Sequence, residues 1–564
     1  MHVPRDFAPL FLAVTWIWGK WTRAQEVVYV DPAVGTVPLT SDFLRRAFAS
    51  AVVIGNYVYI DGGEVAEREN GQIPGRASPS NVTISIPLNV SWNTSSVYQN
   101  FAVSPKQDTG APVFDSQTVW RDPEGRGFYI WGGRTPQDTQ PAPSRMWKFT
   151  IDGPGCGSWA QRDLSGKSAL ALGRAIRTTS GAWTQSDEVG YWVGGYAAYY
   201  TDTSIVRGSY LALPGVMAFD MKTGELTNSS TAGLGEYGTS IYGAAKFVPS
   251  FGSKGHGVVV MLGGVTSTVL NDGLDWKVVN FANVTVHDPV AKTWHSQITT
   301  GDRPPPLERA CVVGVAGTGG GSPGTYEIFI YGGYNRQTDS ASGEVYILSL
   351  PGFVFFKAPT DSTPTAPPRV DHACVLVGRS QMLSIGGTDI LPSGHNGMLD
   401  PDPCYDADAK DYESPEVIKR WYDRGGLESV VWSSAVVKGM FLGNDSEGFK
   451  SNPTTSSGIV TSDQSTATPP ENSDSQTESS GTPPIGAVVG GAAGGVVIVV
   501  LVGCAAWWIL RTKRTKGKAT TQEGLEYSDG SQERFHISSS NDRAPVPKLG
   551  HDDDGDDVVD SRFE

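Results

Sequence analysis

Between residues 27 and 413 the apolar positions recur as short runs, each ending in a pair of glycines. Examples are Tyr57-Val58-Tyr59-Ile60, Phe128-Tyr129-Ile130-Trp131, Val258 to Leu262 and Ile328-Phe329-Ile330-Tyr331. These β-branched and aromatic stretches read as strands. The pairs are Gly62 and Gly63, Gly132 and Gly133, Gly194 and Gly195, Gly263 and Gly264, Gly332 and Gly333, and Gly386 and Gly387, separated by 54 to 70 residues. Two adjacent glycines cost backbone entropy unless the chain needs positive φ or a close approach to a neighbouring strand. Six recurrences therefore predict a repeat architecture with one tight, closely packed bend per unit.

Most units add a second signal, a large residue, a turn, and another large apolar residue seven positions on. His287 and Trp294 flank Asp288-Pro289, Phe219 and Leu226 flank Lys222-Thr223-Gly224, and Tyr346 and Phe353 flank Pro351-Gly352. This reads as a hairpin. Taken together, the glycine pair after a second strand and the spaced large residues on a third and fourth resemble the kelch repeat. That resemblance covers residues 27 to 413 and implies an all-β, kelch-type β-propeller of about six blades. His287 stands where Tyr is usual and Leu226 where Trp is usual. Val27 to Val30, the Asp31-Pro32 turn and Val37 mimic the last two strands of a blade, so they are expected to complete the sixth blade and close the ring.

The flanks differ in kind. Arg5, the apolar run Phe7 to Trp18, and Thr22 with Ala24 fit a signal peptide over residues 1–24, with Lys20 and Arg23 leaving an uncleaved anchor as the alternative. The propeller is expected over 25–413. Ser414-Pro415-Glu416 reads as an N-cap with proline in the first turn, opening a helical cap over 414–450 that faces one side of the disc. Residues 451–484 are rich in Ser, Thr and Pro and predict an O-glycosylated stalk. Residues 485–510 are uncharged and long enough as a helix to cross a hydrocarbon core of about 30 Å. Arg511, Lys513, Arg514, Lys516 and Lys518 follow directly, which orients the C-terminus to the cytosol as a disordered acidic tail over 511–564. The expected protein is a single-pass type I membrane protein with its propeller extracellular. Gly486, Gly490 and Gly494 give Gly-x-x-x-Gly spacing that would permit self-association of the span.

Composition narrows the chemistry. The chain of 564 residues has 68 glycines, only 18% charged residues and a formal charge of -15, which suits many short strands and excludes nucleic acid as a partner. Asn81, Asn89, Asn93, Asn228, Asn283 and Asn444 begin N-glycosylation sequons. Asn283 falls in an expected strand and is the one most exposed to interference by burial. Cys156, Cys311, Cys374 and Cys404 admit two disulfides among three connectivities. Cys311 and Cys374 begin matching strands of consecutive units and fit equally as small buried apolar residues. Cys504 lies in the span.

The sharpest enzymatic alternative is set by a second resemblance, to galactose oxidase, whose catalytic domain is also a kelch propeller. That resemblance would imply a copper site with two His and two Tyr ligands, one Tyr cross-linked to Cys. The histidines on offer are His256, His287, His295, His372 and His395, and none directly follows a Tyr as one ligand does in that family. Zinc-peptidase and complete phosphate-loop motifs are absent from the sequence. Asp371-His372, with Arg369, reads as the polar lead-in to a first strand rather than as a catalytic pair. No catalytic residue, metal or cofactor is assigned. The whole layout resembles fungal kelch-repeat membrane proteins, which implies a binding, adhesion or scaffold module for an extracellular protein or carbohydrate. The alternatives are a galactose-oxidase-like accessory enzyme, or a sensor signalling through serines such as Ser538 to Ser540.

Overall fold

The computed structural model describes residues 42–443, apart from short segments at 69–70, 73–76, 94–95, 98–100, 137–139, 269–275, 319–323, 360–366 and 390–403. The signal-peptide, stalk, membrane-span and tail readings, the expected closing strands at 27–37, Asn444 and His395 all lie outside the described residues. No helix among the described residues is long and apolar enough to cross a membrane.

Each apolar run before a glycine pair is the second strand of an antiparallel sheet. Its partners are first strands at Ser50–Ile54, Asp115–Arg121, Ala182–Gln185, Ala244–Val248, Cys311–Ala316 and Ala373–Val377. In five units a third and a fourth strand follow in sequence order, giving four-stranded meanders. The fifth unit also gains Thr300–Gly301, paired in parallel with its outermost strand. The sixth shows two strands among the described residues. Neighbouring units pack face to face, which is why the second strands are apolar on both sides: every residue of Val258–Leu262 is buried. Between the first two units Tyr59, Phe128, Phe149 and Trp159 form one cluster, with Phe128 and Phe149 stacked at 5.0 Å.

The glycine pairs are the joints. All twelve residues have φ between 58° and 101°, and the two members of each pair do different jobs. A Cβ on the first would strike the next unit, 2.4 Å from the Leu307 carbonyl at Gly263 and 2.5 Å from the Arg369 carbonyl at Gly332. On the second it would strike the lead-in of its own first strand, 2.3 Å from the Ala47 carbonyl at Gly63. The second glycine's N–H then donates to the next unit: Gly63 to Phe114, Gly133 to Thr178, Gly195 to Ser240, Gly264 to Leu307 and Gly333 to Arg369. Gly387 donates to the Arg46 carbonyl at 2.6 Å, so the sixth unit returns to the first and the series closes.

The hairpin expectation holds where the turn is tight. His287 lies opposite Trp294 with rings stacked at 4.3 Å, and Phe219 lies opposite Leu226. Tyr346 departs from it, pairing with Lys357, because Phe353 belongs to the turn and drops into the core with Phe441 at 4.7 Å.

Three helices accompany the sheets. α1, Gly166–Arg174, bridges the second and third units and was not anticipated from the sequence. α2, Glu416–Asp423, and α3, Ala435–Leu442, fall within the expected cap. They are confined to two adjoining units: α2 seats Ile418 on Ile347, Val354 and Phe356, and α3 seats Phe441 on Phe251 and Phe353. Ser434 caps α3 by accepting from the Val437 N–H at 3.2 Å. Ser414 does not cap α2, whose N-cap is Pro415. Its hydroxyl donates instead to the buried Glu327 carboxylate at 3.1 Å.

Candidate ligand-binding mouth of the axial cavity

The six first strands surround an axial cavity of about 360 Å³. Two residues before the first strand in five units, and at the second residue of Asp115–Arg121 in the other, the backbone turns left-handed at a non-glycine residue: Phe48, Ser180, Tyr242, Arg309 and Asp371, and Ser116, with φ from 54° to 61°. Such a conformation is uncommon for L-residues and costs about 1 kcal/mol or more at each. Backbone bonds running around the ring hold it in place, Ser116 N–H to Phe48 C=O, Phe48 to Asp371, Arg309 to Tyr242 and Tyr242 to Ser180. All six residues line the cavity.

Around this mouth the loops gather aromatic and guanidinium groups. Tyr242 and Trp276 stack at 5.8 Å with 17° between planes, and Tyr196 and Tyr210 pack beside them. The Arg309 guanidinium lies 4.0 Å from the Tyr242 ring and pairs with Asp371 at 3.1 Å. Arg336 lies 5.5 Å from the Trp276 ring and pairs with Glu308 at 3.0 Å. Burial pushes the Glu308 carboxyl up, and Arg309 and Arg336 pull it back. Asp115 is fully buried, and burial with the nearby Glu64 charge holds its carboxyl well above the usual range, opposed by Arg134. Half-exposed aromatic faces backed by fixed guanidinium groups suit a ligand that presents flat apolar faces edged by hydroxyls or carboxylates.

Asp371 pairs with Arg309 rather than with its neighbour His372, which removes the catalytic-pair reading. Arg369 donates to the Gly386 carbonyl at 3.1 Å, the structural role expected of it. His372 differs from that expectation, since neither ring nitrogen makes a well-formed hydrogen bond. It sits edge-on to Tyr331 at 5.1 Å. Burial first, and then the Arg369 charge, push its imidazole down to about 3, with the Tyr331 backbone pulling weakly the other way. The remaining described histidines lie elsewhere. His256 is on an exposed loop, His287 stacks on Trp294, and His295 contacts the Thr293 hydroxyl. Of the described histidines, His372 alone lines the axial cavity.

Cys311 and Cys374 form a disulfide with Cα atoms 5.6 Å apart, while Cys156 carries a free thiol. Cys404 lies in a short strand paired with Trp92–Asn93. Among the sequons Asn89, Asn93, Asn228 and Asn283 are exposed, Asn283 at the first position of its strand. Asn81 is the exception, only 4% exposed, and that burial leaves no room for a glycan. The mouth residues Tyr242, Trp276, Arg309 and Arg336 were not singled out from the sequence. The available signal was positional, since Phe48, Tyr242 and Arg309 occupy the same step of their repeats.

A closed series of glycine-jointed, antiparallel four-stranded sheets around an axial cavity defines a kelch-type β-propeller. The chain is 21% identical, over 386 residues, to a Kelch repeat-containing protein of Arthroderma benhamiae, a match covering 62% of this chain and 53% of the relative. The chain thus spans about half the length of the curated relative it matches. No protein-family model matches the chain. The solved structure of YjhT aligns over 53% of this chain and 80% of its own, at 15% identity and a TM-score of 0.34.

Proposed function

We propose that the ring is a six-bladed propeller that binds a carbohydrate ligand through its aromatic and arginine-rich mouth, held outside the cell by the 485–510 span and the 451–484 stalk. The observation that carries the binding reading is the Tyr242–Trp276 stack flanked by Arg309 and Arg336. A rigid ring presents this platform with little ordering cost on binding, as a recognition surface requires. The relative's name supports the repeat class, and the basic cluster after residue 510 supports the orientation.

The test is binding of the detergent-solubilised full chain to an array of cell-wall and secreted glycans. At least one glycan class is expected to bind. Trp276→Ala should weaken it about tenfold, the scale of one lost stacking contact, and Leu170→Ala on the exposed face of α1 should not change it. Glycan binding indifferent to Trp276→Ala would move the site away from the mouth. No glycan binding at all would favour a protein ligand.

A further inference from the structure

Side chains alternate across a strand, so residues at first and second positions of consecutive first strands face each other between units. Cys311 is the first residue of its strand and Cys374 the second of the next, which is why they meet at the joint of the fifth and sixth units. His372, two residues before Cys374, shares that side. The two Sγ atoms and an imidazole nitrogen all lie within 4.8 Å of one another. His372 is 8% exposed, and neither ring nitrogen makes a well-formed hydrogen bond. It fits because position 332 is glycine, where a Cβ would lie 2.7 Å from His372 Cε1 and 3.1 Å from Nε2. A buried imidazole without a well-formed hydrogen bond is uncommon, since desolvating a polar group without compensation costs free energy. All three residues line the axial cavity, which leaves a side from which an ion and a water ligand can approach.

We infer that Cys311, Cys374 and His372 are the protein ligands of a redox-gated site for a thiophilic divalent metal ion of the Zn²⁺ class. In the oxidised chain the two sulfurs bond to each other and the site is closed. A dithiol reductant supplies two electrons and two protons: its own sulfurs join as a disulfide, the Cys311–Cys374 bond breaks, and two thiols result. Binding the ion then releases those two protons as the thiols become thiolates, while the neutral imidazole donates a lone pair. Two thiolates and one imidazole, with water in the fourth position, are a donor set that Zn²⁺ and Co²⁺ accept.

Co²⁺ is the probe, because thiolate coordination gives it a charge-transfer band. The full chain is reduced anaerobically with a phosphine and titrated, beside the unreduced chain, the Cys311→Ser/Cys374→Ser double variant and His372→Gln. Cys156, Cys404 and Cys504 remain in all of them and serve as the internal background. The expected result is one additional equivalent of Co²⁺ with thiolate charge transfer in the reduced wild type, absent from the oxidised chain and from the double variant. His372→Gln, which keeps both thiols, should bind at least tenfold more weakly. The inference is overturned if the reduced chain unfolds by circular dichroism, if it binds no more Co²⁺ than the double variant, or if His372→Gln binds as tightly as wild type.

Discussion

Lys246 stands at a position whose repeat equivalents are Val52, Trp120, Thr184, Val313 and Val375, each opposite the residue three before its glycine pair. It is the one charged residue in that set. Its side chain crosses to the fifth unit, where a Cβ on Gly314 would lie 2.7 Å from Lys246 Cε and 2.7 Å from the Tyr326 hydroxyl. Burial pushes the amine down to about 8, with no opposing charge to restore it. The unfolded chain holds this proton up to about pH 10.4. Between those values the unfolded state binds more protons, so stability from this group rises with pH and is lost as pH falls through 8. Lys246→Met should therefore raise stability at pH 7 by roughly 1–3 kcal/mol. It should also remove the rise between pH 8 and 10, measured by urea unfolding across that range. A variant that keeps the wild-type pH profile would show that the amine is solvated through the cavity.

At the scale of elements, the strands were legible because their signal is local: a β-branched and aromatic run closed by two glycines says strand, bend and close approach at once. The helix after the ring was legible for the same reason, from Ser414-Pro415-Glu416 and the apolar spacing behind it. What failed is the part of each motif that depends on a distant partner. Ser414 was expected to cap α2, but its hydroxyl is taken by Glu327, 87 residues earlier. That carboxylate also accepts from Thr325 and Tyr412, and burial holds its pKa up against these bonds. The mouth escaped detection likewise, since Tyr242 and Trp276 come from separate loops of the fourth unit and Arg336 from a loop of the fifth, and only the packing of those adjoining units brings them together. The Glu327 knot adds to the Ile418 and Tyr422 contacts that tie the α2 segment to the fifth unit. Ser414→Ala removes a hydrogen bond to a buried carboxylate and should cost about 1.5–3 kcal/mol. The loss should appear first as faster amide exchange in α2, with the glycine-jointed strands still protected. Uniform acceleration throughout the ring would mean that α2 is not a separately opening unit.

For the whole molecule the question is whether the ring behaves as a line of units or as a closed circle. In a linear array each repeat contacts only its neighbours, so terminal units fray and unfolding spreads from the ends. Here the joint between the sixth and first units, Gly387 N–H to Arg46 C=O, repeats the bond made at the other five joints. Residues some 340 positions apart along the chain are thereby held as closely as consecutive units are. Closure should make every joint energetically equivalent. Gly263→Ala and Gly386→Ala test this directly. The first places a Cβ 2.4 Å from the Leu307 carbonyl at an internal joint, and the second places one 2.2 Å from the Arg46 carbonyl at the closing joint. Each adds a left-handed alanine to a backbone clash, a combined cost of roughly 2–4 kcal/mol. In a closed ring both variants should unfold in one cooperative calorimetric transition, shifted down by similar amounts. In an open array Gly386→Ala would instead split the transition, with the sixth unit melting early and the rest near the wild-type temperature. The two outcomes differ in the number of transitions and not only in their position, so variation in the local cost of either alanine does not blur the comparison.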